Sequence, residues 1–136
     1  MKKFLFYFLN FTWGIIMNII GAIAALVMIC TGHKPQRHGG SIYFTCGEGW
    51  GGVDLGCFFI CSKECGKHTK DHEFGHALQN AVYGPLFPFL VAIPSAVRYH
   101  YRNWCVKHGK KLKTRYDDIW FEGQASKWGQ FHKEIW

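Results

Sequence analysis

The sequence predicts an α+β fold. A membrane-crossing helix comes first, followed by a small domain made of a β-hairpin, a histidine-bearing helix, an apolar proline-rich loop and a C-terminal helix. Three observations predict it. Phe4 to Cys30 runs without a charged residue. Two short apolar, β-prone runs flank the glycine-rich Gly47-Glu48-Gly49-Trp50-Gly51-Gly52, which reads as two strands joined by a turn. His72-Glu73-Phe74-Gly75-His76 begins a helical pattern that stops at Gly84-Pro85. The 136 residues leave room for one domain, so residues 1–31 read as a transmembrane anchor and 32–136 as a metal-binding domain. No repeat or low-complexity stretch is present, which excludes a disordered or solenoid chain.

Each element can be justified in order. Lys2-Lys3 precedes the uncharged run. As one helix that run reaches about 40 Å, more than the roughly 30 Å of bilayer hydrocarbon, so it can span with tilt. It is longer than a signal-peptide core, and Ile29-Cys30 lacks the small residue that lipoprotein processing needs, so the anchor is read as retained. Residues 31–40 are polar and read as a linker. Ser41–Cys46 is predicted as one strand and Val53–Cys61 as a second, paired as a hairpin. Ser62–His68 is a charged connection. Thr69 is the predicted N-cap of the motif helix, with Asp71 in the first turn where negative charge suits the dipole. Ala77, Leu78, Ala81 and Val82 continue its apolar face. Pro85, Pro88 and Pro94 argue against a regular helix over 85–97. Arg98–Arg115 reads as a basic helical stretch, and a last helix starts at Thr114 or at Tyr116-Asp117.

Charge and cysteines narrow the classes. The formal net charge is +7, and Arg98, Arg102, Lys107, Lys110, Lys111, Lys113 and Arg115 crowd into one stretch interleaved with Tyr99, Tyr101 and Trp104. A solvated basic face and a segment lying against anionic headgroups both fit that pattern. Nucleic-acid binding is disfavoured because no recognition motif accompanies the charge. Cys57, Cys61 and Cys65 lie four apart and His68 follows. A structural zinc site needs a second paired half that is missing here, so these cysteines are read as free or disulfide-bonded.

The chemistry is in the motif. Two histidines four apart on a helix stand one turn above each other, and both imidazoles can reach one metal ion. Glu73 points to one side of the pair, from where its carboxylate can take a proton from a metal-bound water. The plainer reading is a helix with two surface histidines. A catalytic zinc needs a third protein ligand. It cannot come from the extended metzincin pattern, since Gln79 and Val82 stand where glycine and histidine would be required. Downstream, Glu122-Gly123-Gln124-Ala125 gives E-x-x-A on the last helix, which resembles the glutamate-donating helix of gluzincin-type zinc metallopeptidases.

The order of blocks carries the resemblance further. Trp50–Gly56, His72–Asn80, Gly84-Pro85-Leu86 and Ile93-Pro94-Ser95 together resemble small bacterial membrane-associated zinc metallopeptidases of the H-E-[FY]-G-H type, over roughly residues 40 to 130. Ser126 departs from the carboxylate or amide expected after the alanine. The resemblance implies that His72, His76 and Glu122 bind Zn2+, that Glu73 is the general base, and that a strand beside the metal receives an extended peptide. The second strand is the candidate. If 77–97 crossed a membrane, Glu122 would emerge on the far side from His72. The loop is therefore read as interfacial, re-entrant or buried. Asp117 or Asp118 could accept a hydrogen bond from a ligand histidine, His132 is a spare ligand, and Tyr83, Tyr99, His100 and Tyr116 are possible oxyanion donors. The expected function is a membrane-anchored zinc-dependent metallopeptidase acting on a peptide or protein. The alternative is a non-catalytic zinc-binding or interaction protein at a membrane surface. Lipid contact is expected through residues 4–30 and 85–115. The bacterial cell membrane is the expected location, with the catalytic domain on the cytoplasmic side unless the cysteines are disulfide-bonded.

Overall fold

A computed structural model describes residues 2–112, 114, 115 and 118–130. The elements are α1 (Lys2–Phe11), α2 (Ile15–Cys30), β1 (Gln36–His38), β2 (Ser41–Thr45), β3 (Gly52–Leu55), β4 (Phe58–Cys61), α3 (Lys67–Tyr83), α4 (Ile93–Lys107) and α5 (Trp120–Gln130). A 3₁₀ turn over Gly84–Leu86 and a π-helical turn over Pro88–Ala92 join α3 to α4. The α+β class holds, and its membrane-crossing part does not.

The uncharged run is two helices bent by 89°, and no single helix among the described residues is long and apolar enough to cross a membrane. The expected anchor, its membrane location and the choice of a cytoplasmic side are therefore corrected. The reason lies in three asparagines. Asn10 and Asn80 are fully buried and Asn18 nearly so. Asn80 Nδ2 donates to Asn10 Oδ1 (2.7 Å) and to the Gly14 carbonyl (3.0 Å). Asn18 Nδ2 donates to the Asn10 carbonyl (2.5 Å), and Asn18 Oδ1 accepts from the Cys57 N–H (2.7 Å). Amides so placed bond to one another and to backbone groups at the break. They fold α1 onto α3 and α2 onto the β3–β4 turn. At the break, Trp13 Nε1 donates to the Val82 carbonyl.

The sheet has the order β1-β2-β4-β3. β1–β2 and β3–β4 are antiparallel, whereas β2 and β4 run parallel, with Ile42 opposite Phe58 and Phe44 opposite Ile60. Three expectations change here. The stretch read as one strand, Val53–Cys61, folds back on itself at Gly56, whose φ of +77° suits glycine. The predicted hairpin partners are thus parallel neighbours, and part of the predicted linker is β1. Phe44 and Ile60 pack against Ala25 and Met28 of α2. Tyr43 and Phe59 stack on the opposite face with ring centroids 5.0 Å apart. β3 is left at a sheet edge beside α3.

Smaller corrections follow along the chain. Gly66, not Thr69, precedes the first turn of α3. Asp71 is buried and paired with His38 (2.7 Å) and Lys67 (2.6 Å), which ties β1 to the helix. Gly84, with φ of +57°, ends α3 as the sequence predicts. The three-proline segment is helical after all. Pro88 and Pro94 sit at first turns, where a missing N–H costs nothing. The bend between α3 and the helical stretch beyond it is 117°, so 77–97 makes no straight span. The basic helix ends at Lys107 rather than near Arg115, and α5 starts at Trp120. Cys61 and Cys65 form a disulfide, while Cys57 is a free, buried thiol.

Candidate metal centre

α3 supplies the two histidines and α5 the glutamate, and both helices carry a glycine where they cross. A Cβ on Gly75 would lie 1.8 Å from the Ala125 carbonyl oxygen, and one on Gly129 1.6 Å from that of Asp71. Only glycine lets two helix backbones approach so closely. The approach carries Glu122 into the motif face of α3, where it is fully buried.

The ligand atoms converge. Glu122 Oε2 lies 2.8 Å from His72 Nε2 and 3.4 Å from His76 Nε2. One ligand atom from each of these three residues falls within 4.8 Å of the others. The cluster could hold a metal ion. The far side of each imidazole is also held. His76 Nδ1 is 2.7 Å from Gln79 Oε1, and Gln79 Nε2 donates to the Phe121 carbonyl (2.8 Å). With its amide nitrogen spent on that carbonyl, Gln79 presents its oxygen, so the neutral form of His76 carries its proton on Nδ1 and turns the Nε2 lone pair inward. His72 Nδ1 is 2.8 Å from Ser126 Oγ, and a hydroxyl can accept there as well. The Ser95 hydroxyl donates to Glu122 Oε1, leaving Oε2 for the histidines or an ion.

The electrostatics follow from crowding three carboxyls and two imidazoles out of water. Burial alone would lower the His76 pKa. The hydrogen bond to Glu122, with the charges of Glu73, Glu122 and Asp54, carries it up to about 9. Burial would raise the Glu122 carboxyl. Its bonds to His72, His76 and Ser95 instead hold it well below the usual carboxylate range. Glu73 has no such set of donors. Burial raises its pKa, opposed by His76 and His72 and reinforced by Glu122.

Two cavities meet at Glu73. One, of about 390 Å³, is lined by His72, His68, Thr69, Arg102 and Asn103 among others. The second, of about 560 Å³, is lined by His76, Asp54, Phe87, Val91 and Ile93 among others. Gly52, Glu73 and Tyr99 border both. Gly52 begins the edge strand β3, and a Cβ there would meet the Glu73 carboxylate at about 3.0 Å.

His72, His76 and Glu122 are thus gathered, with Glu73 at the junction of the two cavities. Gln79 and Ser126, which the sequence offered only as departures from known patterns, hold the imidazoles. Their spacing was a usable signal, since Gln79 is three residues after His76 and Ser126 four after Glu122. Asp118 is exposed and accepts from the Arg115 N–H, away from the histidines. Asp117, Tyr116 and His132 lie outside the described residues. The Tyr83 hydroxyl donates to Gln124 behind the site, whereas Tyr99 and His100 line the larger cavity. Compared with protein-family models, curated proteins and solved structures, the chain matches none.

Proposed function

We propose that the chain is a zinc-dependent metallopeptidase in which His72, His76 and Glu122 hold the ion and Glu73 is the general base. The observation that carries this reading is the convergence of two imidazole nitrogens and one carboxylate oxygen within 4.8 Å, with both Nδ1 atoms held from behind. Two nitrogens and one oxygen suit zinc and leave a coordination position open. A zinc ion there would supply a Lewis acid and lower the pKa of a coordinated water toward about 7.

The chain's own residues support the rest. Glu73 is beside the ligands without belonging to them, and its raised pKa suits a group that takes a proton and later returns it to a leaving amine. It stands where both cavities meet, so a chain laid along the cleft passes over it. Among the described residues β3 is an edge strand on the same side, which can align an extended peptide. The Tyr99 hydroxyl is spent on the Trp50 carbonyl, which leaves His100, in the wall of the larger cavity, as the candidate to steady a developing oxyanion. The sequence resemblance to H-E-[FY]-G-H metallopeptidases points the same way. A non-catalytic zinc protein would share the three ligands, but a buried acid at the junction of two cavities favours the enzyme.

The test is metal analysis together with peptide turnover. Purified protein should carry about one zinc per chain. Glu73→Gln should keep the metal and lose roughly 10²-fold or more in turnover, while His76→Ala should lose the metal. If Glu73→Gln keeps both zinc and full function, the binding-protein reading replaces this one.

A further inference from the structure

The larger cavity, on the His76 side, is walled by apolar groups that the fold leaves uncovered. The chain has a formal net charge of +7, yet among the described residues no lysine or arginine lines this cavity. Val53 of the edge strand β3 is 42% exposed, and Ile93 and Val97 of α4 are 55% and 63% exposed. Met17, Phe87 and Val91 also line the cavity but are nearly closed to solvent, and they pack in one cluster with Phe121. That cluster gives the cavity a fixed floor and joins it to α5 beside Glu122. The polar side chains of the wall are mostly committed elsewhere. The Ser95 hydroxyl donates to Glu122 Oε1, the Tyr99 hydroxyl to the Trp50 carbonyl, and the Trp50 indole to the Cys46 carbonyl. Asp54 has its Oδ1 closed to solvent, and burial raises its carboxyl well above the usual carboxylate range. Besides His76 and Glu73, this leaves exposed His100 as the polar side chain of the wall.

We propose that this cavity is a specificity pocket for a large, uncharged apolar side chain next to the scissile bond. The inference rests on the peptidase reading and deepens it by naming a substrate class: peptides with a bulky apolar residue at one position beside the cut. Glu73 and His76 share the pocket's wall, so a side chain seated there belongs to a residue at or beside the reacting carbonyl. The volume, about 560 Å³, falls within the roughly 300–1,000 Å³ of small-ligand pockets and has room for the bulkiest apolar side chain. Seating one takes its own apolar surface, and that of Val53, Ile93 and Val97, out of water together. An alanine leaves most of that wall wet. An asparagine has nearly the shape of leucine, but its amide gives up water and finds few partners. A lysine stem has room, but its ammonium must return to water at the mouth.

The test uses the zinc-loaded full chain and internally quenched peptides of one polar sequence. A single scanned position carries phenylalanine, leucine, norleucine, alanine, asparagine or lysine, and mass spectrometry locates each cut. The expected result is a kcat/KM at least roughly tenfold higher for leucine over asparagine, phenylalanine over alanine and norleucine over lysine, at one position fixed relative to the cut. Ala96→Trp, at an exposed residue of the α4 wall, and Val53→Trp, on the β3 side, each add bulk to the pocket. Either should bring the phenylalanine-to-alanine ratio to within about threefold of unity. The wild-type ratios decide the preference without a variant, and whichever variant folds decides where it is made. If the wild type cleaves all of these peptides alike, or prefers asparagine or lysine, this proposal is overturned and the peptidase reading stands. An apolar preference that persists in a folded tryptophan variant also overturns it, since the preference is then made elsewhere. If no peptide is cleaved, the peptidase reading falls, and the Kd values of the same peptides decide the pocket. Leucine bound roughly tenfold tighter than asparagine keeps it, and equal or absent binding overturns it as well.

Discussion

His76 shows how one side chain is set by its neighbours. Gln79 fixes its tautomer from behind, and Glu122 draws its Nε2 forward. Without a metal, that carboxylate favours the imidazolium, and the His76 pKa rises from its ordinary 6.5 to about 9. The sign for stability follows directly. A pKa raised on folding adds stability that is fully present below pH 6.5 and is lost as pH rises through about 9. Metal binding runs the other way, because zinc must displace that proton. Glu122, held far below its usual range, has no proton to release. Zinc affinity should therefore rise by at least about tenfold per pH unit between pH 6 and 8. Competition against a chelator of known proton affinity measures the slope. A flat profile would mean that zinc displaces no proton from His76 in that range.

At the scale of elements, the site depends on how closely α3 and α5 cross. Gly75 is the third residue between the two histidines' turns, and it faces the Ala125 carbonyl. Glycine inside a helix costs about 1 kcal/mol against alanine, so on propensity alone Gly75→Ala should stabilise. The crossing argues the reverse. A methyl group 1.8 Å from a backbone oxygen must push α5 away, at a cost of about 1–3 kcal/mol or more. Urea unfolding in chelator should show a net loss, and zinc content should fall because Glu122 moves with α5. Greater stability with zinc retained would mean that the helices do not meet there. The sequence made part of this readable. Spacing set the two histidines on one face, E-x-x-A located Glu122, and a small residue at 75 hinted at a close approach. Ser126 escaped because a hydroxyl becomes an imidazole's partner only when two helices about fifty residues apart are brought together, and Gln79, three residues from His76 on the same helix, has its amide oriented by the Phe121 carbonyl across that crossing. The sheet escaped for a similar reason. Parallel pairing of β2 with β4 leaves no local pattern, and one turn glycine inside Val53–Cys61 looks like any other residue in an apolar run.

For the molecule as a whole, the decisive misreading was the N-terminal run. Its outward face includes exposed Ile19, Ile23 and Leu26, so its composition equals that of a membrane span. What distinguishes it are Asn10 and Asn18, and their meaning depends on Asn80, seventy residues from Asn10. A span and a packed cover respond oppositely to one change. If residues 4–30 were an appended span, Asn10→Leu would make it more apolar and leave the metal-binding part untouched. In the packed arrangement the leucine removes the acceptor of Asn80 Nδ2 and the donor to the Ala77 carbonyl. Buried groups so orphaned cost about 1–3 kcal/mol each. Asn10→Leu should therefore lower the urea midpoint of the whole chain, with zinc bound or removed. Asn10→Ala and Asn80→Ala should be non-additive in a double-mutant cycle, by about 0.5–3 kcal/mol. α1 lies against α3 through Asn10, which bonds Ala77, the residue after His76, and Asn80, one turn further on, so the loosening should reach the site and speed zinc release to a chelator. Unchanged stability and unchanged release in Asn10→Leu would detach the N-terminal helices from the metal centre and return them to the role of a separate appendage.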